Sequence, residues 1–378
     1  AARTAASNAG AKVVKTFAYE ISGSEQQEIY DINPDLVLLC GGTDGGNKEV
    51  IIANAKHLVA IDRPFTTIVA GNKSANDDIK AIFNEAGKDV VITENVMPQF
   101  NKLNIEPARD AIRQLFISRI IEAKGLNILQ AMTPYKIIPT PLAVLHACEL
   151  LSKGTKTQQG RGDLLAVDIG GATTDVYSMA SGEPTVDNTM LKGLPEPWMK
   201  RTVEGDLGMR YSLTHVFEQI PGADNSENEY MQQVKAWVEL CTARPDTLAA
   251  PGSEEEKLEE FLGRSAVSMA VERHCGRIAD VFTPLGLMHT QEGKDLMNVP
   301  SVIGIGGVLR NSRRPEEILK GSLYDFMHPE CTKPRKPKFY LDQKYIFASM
   351  GLLRSINPEL AFELLDKETV EIGCNATV

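Results

Sequence analysis

Long apolar runs are missing from the 378 residues: no stretch approaches the ~18 to 20 positions that a membrane helix needs. No charged-then-apolar leader opens the chain either, so a cytoplasmic protein without a membrane partner is expected. Basic charge is the minority sign, with 40 Lys and Arg against 50 Asp and Glu and a net charge of −10. A broad cationic face for nucleic acid or anionic lipid is therefore not expected. Cysteine is scarce and scattered. Cys40, Cys148, Cys241, Cys275, Cys331 and Cys374 form no C-x-x-C pair, which points away from a disulfide framework and from zinc or iron–sulfur clusters and toward separate reduced thiols. Short-period repeats are absent too. Hydrophobic residues at 43% and charged residues at 24% sit near the averages for globular chains, which excludes disorder and collagen-like structure.

What is present has the rhythm of an α/β protein of two to three domains. Strand patterns are predicted at Lys12–Tyr19, Leu36–Cys40, Thr66–Ala70 and Val90–Thr93, with helices at Ser24–Tyr30, Asn76–Ala86 and Pro107–Lys124, the last closed by Gly125. Leu36–Cys40 is apolar throughout and stops at Gly41–Gly46, as a buried parallel strand entering a loop does. Leu142–Leu151 is apolar nearly all round and predicts a buried helix. A domain boundary is expected in the polar stretch Ser152–Gly162, giving domains 1–160 and 161–378. Strands are then predicted at 164–178, 185–190 and Ser301–Ile305, around a mostly helical region from about 196 to 290. Helices are expected there at Tyr230–Cys241 and Glu254–Arg277.

The most informative segment is Leu164–Ser178. An apolar strand delivers Asp168, Gly170 and Gly171 follow, then Ala172, Thr173 and Thr174, and a second strand leaves. Backbone N–H groups in such a turn form a concave anion site, and Asp168 can hold Mg²⁺ directly or through water, which suits a phosphate chain. An ordinary hairpin with glycines for turn geometry is the alternative. A second segment, Val302–Arg310, places Gly304, Gly306, Gly307 and Val308 at a strand's end. It lacks the G-x-G-x-x-G spacing, so a nicotinamide cofactor is disfavoured.

In this order the two segments resemble the actin, sugar kinase and heat-shock chaperone superfamily of ATPases. The resemblance implies two ribonuclease-H-like domains that close on ATP or ADP with Mg²⁺, with a helical insertion at about 196–298. It implies a second phosphate loop at Asp168–Thr174 and an adenosine loop at Gly304–Val308. Connecting helices are implied at Pro139–Leu150 and Phe347–Pro358. The superfamily's first phosphate loop has no counterpart before Leu36, so the N-terminal part of the first domain is expected to be missing and hydrolysis by this chain is not expected. Lys200–Tyr211, Gln291–Leu296 and the Gly41–Gly46 loop bring the likeness closer still. These resemble the MutL family of accessory proteins of adenosylcobalamin-dependent glutamate mutase. Members are implied to be reactivating ATPases that help damaged cobalamin leave the mutase. A small-molecule kinase, an activating ATPase for radical dehydratases and a non-catalytic scaffold of the same fold are the alternatives.

Other features carry two readings each. Glu204, Gly205, Asp206 and Gly208 either hold a catalytic or Mg²⁺-bound water, which makes Asp206 a candidate beside Asp168, or form a capped loop. The Gly41–Gly46 loop with Asp44 touches nucleotide or partner, or is a strand-to-helix turn. His146, His274 with Cys275, and His328 with Cys331 are too sparse for metal sites and are expected to be packing or surface groups. Lys333–Lys338 is expected to be a solvated loop, and Glu254–Glu260 a helix start on a wet face. Trp198 and Trp237 are partner anchors or core.

Overall fold

The computed structural model describes residues 1–374 except 10, 12, 124–131, 136, 194, 195, 224, 226 and 285. The chain forms two compact units, Ala1–Ile138 and Pro139–Val378. The second unit begins earlier than the polar 152–162 stretch because the Leu142–Leu151 helix buries its apolar side chains there, as described below. The expected helix stop at Lys124 and Gly125 lies outside the described residues.

In the first unit, β1 (Leu36–Leu39), β2 (Thr66–Val69) and β3 (Val90–Ile92) form a parallel sheet in that order. Helices α3 (Glu49–Val59) and α4 (Asn76–Glu85) supply the crossovers; α1 (Ala2–Ala9) packs on α5 (Glu106–Ala123), which covers β2. Leu39 and Val69 join Ile51, Leu58, Ile79 and Phe83 in one core, while Ala70, Val96, Ile105 and Ala108 form another with Ala5. Parallel strands covered by helices read as continuous apolar runs, which is why Leu36–Leu39 was legible although only Leu39 is fully buried. Helix α2 (Gly23–Ile32) starts with a capping box, Ser22 and Glu25 each bonding the other's backbone N–H. Residues 13–18 carry no strand: Val14 is exposed, and Phe17 packs half-buried on the core from an irregular segment.

The three loops at the carboxyl ends of this sheet are tied together by two buried asparagines. Asn72 donates to the Gly46 and Asn47 carbonyls (2.9 and 3.2 Å) and accepts from the Gly45 and Ser74 N–H groups, both at 3.0 Å. Asn95 donates to the Gly42 carbonyl (2.9 Å) and to Asp44 (3.0 Å). The Gly41–Gly46 segment is thus an internally bonded turn, with Gly42 at φ +70°. Asn72→Ala, which removes four part-buried hydrogen bonds and leaves a gap where a buried side chain stood, is expected to cost about 2–3 kcal/mol, read as a lower urea midpoint.

The second unit is built on a six-stranded mixed sheet in the order β12-β11-β10-β4-β5-β7. Strands β4 (Leu164–Ile169), β5 (Thr174–Met179) and β7 (Met199–Glu204) form an antiparallel meander. On the other side of β4, β10 (Ser301–Ile305) and β11 (Lys338–Asp342) run parallel to it, and β12 (Thr369–Cys374) closes the edge antiparallel. One face carries Leu165, Val167, Ile169, Val176 and Val302 against α7 (Leu213–Glu218), α8 (Glu229–Ala243), α9 (Glu254–His274) and α11 (Pro315–Leu319). Helix α6 (Thr140–Lys153) packs on β4 and β5 and against α12 (Phe347–Leu353), which is followed by α13 (Pro358–Glu368). Gly351 lets α12 approach the Ala143 backbone, because any side chain there would strike the Ala143 carbonyl.

Three expectations for this unit need correction. The region 196–290 is helical only over 213–274; β7 precedes it, and β8 (Arg277–Thr283) and β9 (Gly286–Glu292) follow, pairing with β6 (Thr189–Lys192) in a small separate sheet. The strand expected at 185–190 lies at Thr189–Lys192 as β6, whereas the exposed Phe282 left β8 with no buried face to mark it. The acidic start of α9 is not wholly wet: Glu256 and Glu260 are buried and paired with Arg313 and Arg314. The basic cluster is not wholly solvated, since Lys333 is 1% exposed and donates to Ser268 (3.0 Å) and Glu272 (3.4 Å). His274 is packing, as expected, buried between Thr202 (2.9 Å) and Ser178 (2.8 Å), and Trp237 is core.

Candidate functional site

Strand register brings the two glycine segments together. Ile305 pairs with Asp168 across β10 and β4, and Asp168 pairs with Asp175 across β4 and β5. Asp342 ends β11 one residue beyond the Gly304–Leu341 pair. Directly opposed residues share a face, so Asp168, Asp175 and Asp342 lie in one row near the carboxyl ends of β4, β10 and β11.

Between β4 and β5 the chain turns through Gly170–Thr173. The Gly170 N–H donates to the Thr173 carbonyl (2.9 Å), and the carbonyls of Gly170, Gly171 and Ala172 are consumed by the 209–212 segment: Met209 and Tyr211 N–H groups at 3.0 and 2.8 Å, and the Ser212 hydroxyl at 3.0 Å. Among the described residues, the N–H groups of Gly171, Ala172 and Thr173 meet no partner, and Ala172 is exposed. A loop with its acceptors bound and its donors free is an anion receptor in form. The paired threonines differ. Thr173 is part-exposed and donates to Asp175 (3.1 Å), whereas Thr174 is fully buried with its hydroxyl on the Leu207 carbonyl (2.6 Å).

Gly306 (φ +106°) links β10 to the short helix α10 (Gly307–Asn311). A side-chain carbon there would fall against the Ile169 carbonyl and 3.0 Å from Asp168 Oδ1, so glycine is required for the adenosine-loop candidate to lie beside the phosphate-loop candidate. Gly304 makes room for Leu309 and Leu319, Gly307 is exposed and Val308 half-buried. Gly304, Ile305 and Gly306 therefore adjoin the end of β4.

The electrostatics raise the proton affinity of Asp168. Burial first, then the Asp175 charge, push its carboxyl up to about 7, with Asp342 adding to the shift and Arg201 opposing it. Asp175 stays paired with Arg201, whose Nε and Nη2 reach one carboxylate oxygen at 2.9 and 2.6 Å. Burial also raises Asp342, although the Ile346 and Phe347 N–H groups, each 3.0 Å away at the start of α12, oppose it. The Cys148 thiol of α6 is pushed up by burial and by Asp168.

Asp206 lies in the 205–212 segment that braces the turn. Arg273 grips both its oxygens at 2.8 and 2.9 Å and also holds Glu204 (2.7 Å), which keeps the Asp206 carboxyl down at about 2. The serine and glycine of this segment do the stitching: Ser212 bonds the Ala172 and Gly205 carbonyls, and a side chain at Gly208 would collide with Ala172. Sequence reasoning missed Arg201, Asp175 and Asp342. Asp175 had a signal, since a hairpin places it directly opposite Asp168; Arg201 and Asp342 had none short of the strand order.

The fold and this site define a mixed α/β protein whose principal sheet ends in a row of three carboxylates, Asp175 and Asp342 buried and Asp168 half-buried, beside a donor-rich turn. A sequence model of the MutL protein family matches residues 1–369. The curated Protein MutL of Clostridium tetanomorphum is 45% identical over 375 residues, covering 98% of this chain and 81% of that protein. The chain belongs to the MutL family, the glutamate mutase accessory proteins. Among the described residues, no helix is long and apolar enough to cross a membrane.

Proposed function

We propose that the chain is an ATP-dependent reactivation factor for an adenosylcobalamin-dependent mutase of the glutamate mutase type, using an actin-like ATPase fold. The observation that carries this is the Asp168–Thr174 hairpin, with three N–H groups that meet no partner among the described residues and Gly306 packed against its base. The order of the principal sheet, an antiparallel three-strand meander with two parallel strands on the far side of its first strand, supports the ribonuclease-H-like reading.

In this reading the N–H groups of Gly171, Ala172 and Thr173 bind phosphate oxygens of ATP or ADP, and the Gly304–Val308 turn lies along the nucleoside. Among the described residues, no three His, Cys, Asp or Glu side chains converge on a metal position. Asp168 would therefore hold Mg²⁺ with water and phosphate oxygens, as this ion prefers, rather than within a protein cage. The bound ion would neutralise phosphate charge. Asp342 receives two N–H groups of α12 and stays with that helix. Asp206, gripped by Arg273, is a poor proton acceptor and serves as a brace for the turn.

Restoration of a cobalamin-inactivated glutamate mutase tests the proposal. Recovery of turnover on adding this chain, adenosylcobalamin and Mg·ATP, absent with Asp168→Asn, is expected. Equal recovery with the variant, or without nucleotide, overturns it.

A further inference from the structure

One turn of α9 is bonded to both glycine loops. Glu256, Glu259 and Glu260 share a face of the helix, whereas Glu254 and Glu255 are exposed. Glu259 receives the Arg210 guanidinium at 2.6 Å, and the same group donates to the Thr247 carbonyl at 3.0 Å. Arg210 belongs to the brace of the phosphate-loop candidate, where its N–H donates to the Gly171 carbonyl at 2.8 Å. Glu256 receives Arg313 through Nε (3.0 Å) and through the backbone N–H (3.3 Å), and Glu260 receives Arg314 through Nε at 3.2 Å. Those two arginines follow α10, which is tied back to the adenosine-loop candidate. The Arg310 N–H donates to the Gly306 carbonyl and the Ser312 N–H to the Val308 carbonyl, both at 3.1 Å.

The pairs are too deep to be ordinary surface bridges. Glu256 and Glu260 are 8% and 6% exposed, and the side chains of Arg210 and Glu259 are 13% and 19% exposed. Pairing at such depth adds little net stability, because desolvation offsets the attraction. What a guanidinium fork supplies is direction, since its planar donors fix the angle at which the carboxylate is met. The helix is a firm seat for these contacts: Leu258, Leu262, Ala266 and Val267 are buried in the unit's main core.

On the nucleotide reading above, we propose that Glu256, Glu259 and Glu260 are positioning residues that hold the two glycine loops at the spacing one nucleotide needs. A ligand that orders the Gly171–Thr173 turn is then felt at Ser312–Arg314 through α9. The three carboxylates act through their arginines and not by touching the ligand.

Two paired replacements test this, each removing an acid with its base so that no charge is stranded: Arg210→Met with Glu259→Leu, and Arg314→Met with Glu260→Leu. Urea midpoints close to the parent's are expected, with Mg·ADP binding at least about fivefold weaker in each by calorimetric titration. In the ligand-free chain, amide exchange of Met209 and Tyr211 should quicken in the first variant and that of Arg310 and Ser312 in the second. Parent-like affinity in a variant that folds as stably as the parent overturns the proposal. Failure of the parent itself to bind Mg·ADP sinks the nucleotide reading instead, and unchanged exchange in the two variants then overturns the positioning role as well. Should either variant fail to fold, exchange in the parent decides: saturating Mg·ADP should slow the start of α9 and Ser312 together with the turn, and protection confined to the turn overturns the proposal.

Discussion

With Mg²⁺ chelated, Asp168→Asn is expected to be more resistant to urea than the parent at pH 8 and indistinguishable from it near pH 4. The unfolded chain releases this proton near 3.8, whereas in the folded chain burial and the Asp175 charge hold it to about 7. Between those values the folded state binds a proton that the unfolded state has lost, so stability falls as pH rises through the window. Below 3.8 both states are protonated and the difference vanishes. Above 7 the folded protein carries the full cost of a buried carboxylate beside Asp175 and Asp342. Asparagine keeps the shape and never ionises, so the gain at pH 8 should be on the order of 2–4 kcal/mol. A variant less stable than the parent across pH 5–8 would place Asp168 in a partnered, ionised state and contradict this account.

Arg201→Met is expected to lose about 3–5 kcal/mol, because it leaves the Asp175 carboxylate buried without its cation. The pair is nearly inaccessible, at 6% and 8% side-chain exposure, and the guanidinium also lies 5.8 Å from the Tyr177 ring centre. Asp175 in turn holds the Thr173 hydroxyl, so the damage should reach the turn. Adding Asp175→Asn to Arg201→Met should recover most of the loss, since the stranded charge and not the missing attraction dominates. A single-variant loss below 1 kcal/mol by chemical denaturation would show that water reaches the pair.

The parts of the fold that were legible in the sequence are those carried by predominantly apolar runs. Leu36–Leu39, Leu164–Ile169, Ser301–Ile305 and the α6 helix are such runs, and each forms the element predicted. The turn after Asp168 was legible because glycines and a strand-end carboxylate are local signals. Strands β8 and β9 were not, because Phe282 and Leu287 face solvent and give no alternation against a core, and β6 was legible only in part, since the strand expected at 185–190 lies at Thr189–Lys192. The solvated readings of Glu256, Glu260 and Lys333 failed for one reason: each meets its partner (Arg313, Arg314 or Glu272) more than 50 residues away, and no local pattern encodes that. The row Asp168, Asp175 and Asp342 is likewise a product of strand order, joining residues from β4, β5 and β11.

Calorimetric titration of Mg·ADP into the chain, beside Asp168→Asn, tests the central claim most directly. Saturable binding that weakens at least about tenfold, or about 1.4 kcal/mol, in the variant is the result this account predicts. Binding that is identical in the two proteins, or absent from both, would contradict a nucleotide site at the Asp168 turn.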